Sequence, residues 1–185
     1  RAEEAIASAR RAQALEPLSL AINTGLGMHY YFAGRYDEAI EQCRRTLEIE
    51  PSFPWAHMYL GKTYLRRHMP EEAVASLRRA VEQAPGLTLA VGTLGYGLAV
   101  TGRAEEARKL LGELEDLSRL RYVSAMDMAV IHVGLGENDR ALERLEQAFV
   151  DYSAFFALFS VDAVYEGLRS EPRFRELLRR AVQAS

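Results

Sequence analysis

One period constrains this chain more than any other feature. Stepping 34 residues from Ala39 in either direction lands on alanine each time, at Ala5, Ala73, Ala107 and Ala141. The same step joins Gly27, Gly61, Gly95 and Ala129, and it joins Leu26, Leu60, Leu94 and Met128. A further series runs Ala12, Thr46, Ala80, Leu114, Ala148. A period of this length holds one supersecondary unit, and successive units bury their apolar faces on one another. Within one period, Leu20–Phe53, the pattern reads as two antiparallel helices. Leu26, Tyr30, Ile40, Cys43 and Leu47 stand at helical spacings and form an apolar stripe. Gly27 on the first helix and Ala39 on the second are small because the residues at a crossing set how near two helices can lie.

The punctuation agrees. Gly34, Gly102 and Gly136 fall between paired helices, where a glycine adopts positive φ without strain. His68 replaces glycine in that series, which predicts a costlier turn. Pro17, Pro51 and Pro85 stop the second helices. Arg119 and Ser153 take those places later, so the last two boundaries are expected to be less sharp. In order, the chain reads as a half repeat over residues 1–19, whose Arg1–Ala14 matches only a second helix. Units at 20–53, 54–87, 88–121 and 122–155 follow, the last weaker because Ala129 and His132 replace the glycine and the aromatic. Pro70 suits the first position of a helix, where its missing N–H costs nothing. Residues 156–185 form the end of the domain: an irregular apolar stretch to Arg169, then a helix opened by Ser170-Glu171-Pro172. That helix carries Phe174, Leu177, Leu178, Ala181 and Val182 on one face and is expected to cap the stack. The missing partner of Arg1–Ala14 suggests a piece of a longer protein.

Composition removes several function classes. A net charge of −3 and a pI near 5.9 give no electrostatic footprint for nucleic acid. The uncharged run around Leu87–Val100 carries the repeat's own Leu94 and Gly95, which explains it without a membrane span, so no membrane contact is expected from this segment. The chain opens on the charged amphipathic RAEEAIASARRAQ, which is not a signal peptide. The one cysteine, Cys43, sits on the core stripe and reads as a small buried hydrophobe. A lone thiol fits the cytoplasm, with the periplasm as the alternative if a membrane span lies upstream.

A 34-residue period with small residues at two facing places resembles the tetratricopeptide repeat, from Arg1 to about Phe155. The resemblance implies an all-α, right-handed solenoid of helix pairs with a C-terminal capping helix, acting as a protein-binding scaffold and not as an enzyme. MHYYFAGRYDEAIEQCRRTLEIEPSF, LRYVSAMDMAVIHVGLGENDRALERLEQAF and YEGLRSEPRFRELLRR are further similar to the C-terminal repeat regions of bacterial regulatory proteins. In that family the region follows a serine/threonine kinase domain or a winged-helix DNA-binding domain. Its tail usually carries proline after the aspartate where this chain has Ala163.

In such repeats the binding groove is lined by the inner faces of the first helices. On this phase the expected groove residues are Thr24, Met28, Tyr31 and Phe32, then Trp55, Met58, Lys62, Leu65 and Arg66, then Tyr96, Met126 and Val130. Some of them are expected to pack against a neighbouring repeat instead. The aromatic and methionine content suits a hydrophobic peptide or an amphipathic helix. A lysine-and-asparagine clamp for a C-terminal carboxylate is not formed, since only Lys62 and Arg66 could serve it.

No cofactor or metal is expected. His29, His57, His68 and His132 show no i, i+4 pairing, and no second cysteine joins them. His132 falls in the series Tyr30, Tyr64, Leu98 and reads as a packing residue. Gly92-Thr93-Leu94-Gly95-Tyr96-Gly97 has the wrong spacing for a phosphate loop, and no strand precedes it. Arg10-Arg11, Arg44-Arg45 and Arg78-Arg79 recur near the ends of second helices, with acids in the first turns of the same helices, an order that complements the helix dipole. No nucleophile elbow, kinase loop or metalloprotease motif occurs. The leading expectation is a protein or peptide partner. The alternatives are a nucleic-acid-binding repeat, which needs a basic face, and self-association, most simply as a homodimer.

Overall fold

The computed structural model of the protein describes residues 2–159 and 162–183, with side chains over 2–150, 162–181 and 183. Among them lie ten α-helices: α1 (Ala2–Leu15), α2 (Leu20–Phe32), α3 (Tyr36–Ile49), α4 (Pro54–Arg66), α5 (Pro70–Gln83), α6 (Thr88–Val100), α7 (Ala104–Ser118), α8 (Ala125–Gly134), α9 (Asn138–Phe159) and α10 (Pro172–Gln183). A short 3-10 helix, Ala163–Leu168, precedes α10. The chain divides into two compact units, Arg1–Ala90 and Val91–Ser185.

In the first unit each helix packs on the next in order, and α2 also touches α4. Small residues set these crossings. A Cβ placed on Gly27 would lie 3.0 Å from Cys43 Sγ. On Gly61 it would lie 2.6 Å from Leu77 Cγ and 3.0 Å from the Ala73 carbonyl. Leu26, Ala39, Cys43, Leu60, Ala73 and Leu77 are buried behind these contacts. Burial pushes the Cys43 thiol up to about 12, as suits a hydrophobe that no base activates. A polar knot ties three helices together. Gln13 and Gln42 both donate to Asn23 Oδ1, at 2.6 and 2.8 Å, while Asn23 Nδ2 reaches the carbonyls of Pro17 and Ser19, each at 2.8 Å.

The turns between paired helices close alike. Gly34, Gly102 and Gly136 have φ of 73°, 84° and 74°, and His68 has φ of 55°. Each satisfies two orphan carbonyls of the helix before it. At the first turn Arg35 N–H donates to the Tyr30 carbonyl at 2.9 Å and Gly34 N–H to that of Tyr31 at 3.0 Å. At His68 the same pair runs from Met69 to Tyr64 at 3.0 Å and from His68 to Leu65 at 3.2 Å.

In the second unit α6 lies unusually near α8. A Cβ on Gly92 would run into the Asp127 carbonyl, and one on Gly95 would lie 2.6 Å from Ile131 Cδ1. Gly134 answers from α8, where a Cβ would stand 2.9 Å from that of Ala99. Gly92 and Gly95 of the Gly92–Gly97 run are therefore helical residues that admit a neighbouring helix. Ser124 caps α8 by accepting from Met126 N–H at 3.3 Å.

The far end differs from the expectation. Without a proline at Ser153, α9 runs on to Phe159, 22 residues in all, through the start of the stretch read as irregular. The final helix does pack on α9, and the 3-10 helix packs on α8. Leu142, Leu145, Phe149, Tyr165, Leu168 and Phe174 form the core of this end. Val182, expected on the same face, lies outside the described side chains.

Candidate interaction site

The inner-face residues of the first unit gather at two adjoining places on α2 and α4. The first is an apolar hollow of about 350 Å³ lined by Ala21, Thr24, Gly25, Met28, Phe53, Trp55 and Tyr59. Gly25 leaves the space open, because a Cβ there would meet nothing within 4 Å. Trp55, 38% exposed, stands at its edge. Thr24 is buried, and its Oγ1 has no hydrogen-bond partner. Other helix threonines bond back one turn, Thr46 to the Gln42 carbonyl at 3.0 Å and Thr63 to that of Tyr59 at 2.7 Å.

The second place is a cluster of rings and cations. Tyr31 meets Phe32 edge-on at 5.3 Å between centroids, and Tyr36 and Tyr59 each lie 6.2 Å from it. Lys62 Nζ sits 4.9 Å from the Tyr31 centroid, 5.6 Å from that of Tyr59 and 5.9 Å from that of Phe32. Arg66 lies over Tyr36, and its Nε donates to the Tyr36 hydroxyl at 3.3 Å. Contacts of this type contribute about 0.5–1 kcal/mol each where water reaches them. Both cations are thus engaged by rings.

Several expected groove residues serve the core instead. Met58 is 1% exposed and points into the packing of α4. Tyr31 is 3% exposed, its ring packed among Phe32, Tyr36 and Tyr59. In the second unit Val130 is buried, and Met126 packs against the core built by the 3-10 helix, α9 and α10. Tyr96 is half-buried beside Gly134, 3.1 Å from the position of an added Cβ. Leu65 is half-buried. Gly25, Phe53 and Tyr59 line the hollow and were not among the expected residues. The period held a signal for two of them, since Tyr59 lies one 34-residue step from Gly25.

The paired arginines have a structural task. Arg10 Nε donates to the Tyr30 hydroxyl at 2.8 Å, and Arg44 Nη2 donates to that of Tyr64 at 2.9 Å. Among the described residues no group of three or more His, Cys, Asp or Glu could hold a metal ion, and no helix is long and apolar enough to cross a membrane.

Helix pairs joined by left-handed turns, with glycine and alanine at their crossings, define a helical-hairpin repeat. Models of the tetratricopeptide repeat match residues 1–54 and 33–94, so the chain carries tetratricopeptide repeats over residues 1–94. Solved structures share the fold. A chain of the APC/C hetero-tetramer Cut9–Hcn1 aligns with a TM-score of 0.66 at 16% identity, over 98% of this chain and 40% of that one. TTC0263, a thermophilic tetratricopeptide-repeat protein of Thermus thermophilus, gives 0.58 at 21% identity, over 89% and 91%. YrrB, described as having an unusual peptide-binding site, gives 0.52 at 25% identity, over 80% and 77%. No curated protein matches the chain significantly.

Proposed function

We propose that this chain is a protein-interaction module that seats an apolar side chain of a peptide or amphipathic helix in the hollow between α2 and α4. The observation that carries the reading is the hollow itself: apolar walls, an open floor at Gly25 and a part-exposed tryptophan at the rim. Large aromatic anchors of this kind dominate binding energetics at interfaces. YrrB, with the same fold and a peptide-binding site, supports a peptide as the ligand class. The similarity of the sequence to repeat regions of bacterial regulators supports a docking or sensing role within a larger protein. Peptides selected from a display library against the purified chain test the reading. Trp55→Ala is expected to weaken them about tenfold, ~1.4 kcal/mol, with unchanged helicity. Undiminished affinity in that variant and in Met28→Ala would count against the hollow.

A further inference from the structure

In the first unit an arginine of one helix reaches the tyrosine of the following helix, as Arg10 does Tyr30 and Arg44 does Tyr64. Moved along the period to α7 and α8, these pairs become Gly112 and His132. Both are shorter, and a Cβ at Gly112 would meet nothing within 4 Å. Gly112 shares a stripe of α7 with Arg108 and Glu115, whose side chains reach Glu137 at 3.9 Å and Arg144 at 2.8 Å. On this side opens a hollow of about 510 Å³, bordered by Glu115, His132, Arg140, Glu143, Arg144 and Gln147.

His132 is 3% exposed, and its Nδ1 lies 2.8 Å from Glu137 Oε2. An ionised carboxylate only accepts, so Nδ1 carries the proton, and in the Nδ1–H tautomer Nε2 is an acceptor. Nε2 has no hydrogen-bond partner among the described residues. Arg140 and Arg144 are held by Glu137 and Glu115, at 3.3 and 2.8 Å, while the Glu143 carboxylate is exposed at the rim.

We propose that this hollow binds a guanidinium group, seated where the arginine of the earlier repeats would stand and donating to His132 Nε2. A guanidinium is planar, offers only donors and stays charged, which matches an acceptor nitrogen with carboxylates beside it. The inference is independent of the peptide hollow on α2 and α4.

Titration of the isotope-labelled chain with methylguanidinium, followed by NMR on the His132 ring, tests it. A saturable shift of the ring resonances is expected. It should vanish in Gly112→Arg, whose own side chain restores the arginine of the period. Further arms with free L-arginine and with an acetylated, amidated arginine peptide decide the source. Tighter binding of the peptide assigns the group to a protein partner, and tighter binding of the amino acid assigns it to a small molecule. The proposal is overturned by any of three results: no saturable shift, an equal shift in Gly112→Arg, or an equal shift with methylammonium.

Discussion

His68 holds a backbone conformation that glycine holds at the three sister turns, with φ of 55°. A side chain with a Cβ costs about 1–2 kcal/mol there, part of which glycine returns through its freer unfolded chain. His68→Gly should therefore raise the thermal midpoint, with a net gain of about 0.5–1 kcal/mol. A lowered midpoint would show that the imidazole makes a contact worth more than the strain. Glu137 carries a second prediction at this scale. Burial opposes its ionisation, but the hydrogen bond with His132 and the neighbouring Arg140 outweigh burial and hold the carboxyl below its ordinary value. A carboxyl depressed in the folded state adds stability that is full above its unfolded value, 4.5, and is lost as pH falls through the folded one. Urea midpoints measured down through that range should fall less steeply in Glu137→Gln than in the parent chain. Parallel slopes would refute the assignment.

At the scale of elements, the crossings depend on side chains that are missing. A Cβ on Gly61 would be 2.6 Å from Leu77 Cγ, and Leu77 is fully buried. Gly61→Ala gains about 1 kcal/mol of helix propensity but overpacks the crossing by about 1–3 kcal/mol. Net destabilisation in chemical denaturation is the expected result, and a more stable variant would mean that α4 and α5 can part. Such crossings were legible in the sequence because they impose a size limit that recurs every 34 residues. The C-terminal end of α9 was less so. Losing proline at Ser153 removes a stop without saying where the helix ends, and α9 runs to Phe159. The glycines at Gly92 and Gly134 were opaque for a different reason. They answer to a partner, α8 or α6, that the period does not single out.

For the whole molecule, the fold was written in the repeat and the site only in outline. The period places Thr24, Met28, Trp55 and Lys62 on the inner faces of first helices. It does not say that Lys62 folds over Tyr31, Phe32 and Tyr59, or that Met58 turns inward, since both depend on rotamers set by packing. Met126 left the groove because the chain beyond the last repeat folds back to build a core against it, and that segment has no period to read. The hollow is defined as much by the bare backbone at Gly25 as by any side chain. The chain contains a single tryptophan, Trp55, so its fluorescence reports on this hollow alone. The most direct test of the account is therefore a fluorescence titration of the unmodified chain with a display-selected peptide. A saturable blue shift, with a midpoint equal to the affinity measured by calorimetry, is the result predicted. Binding by calorimetry with Trp55 emission unmoved would place the partner elsewhere and contradict the account.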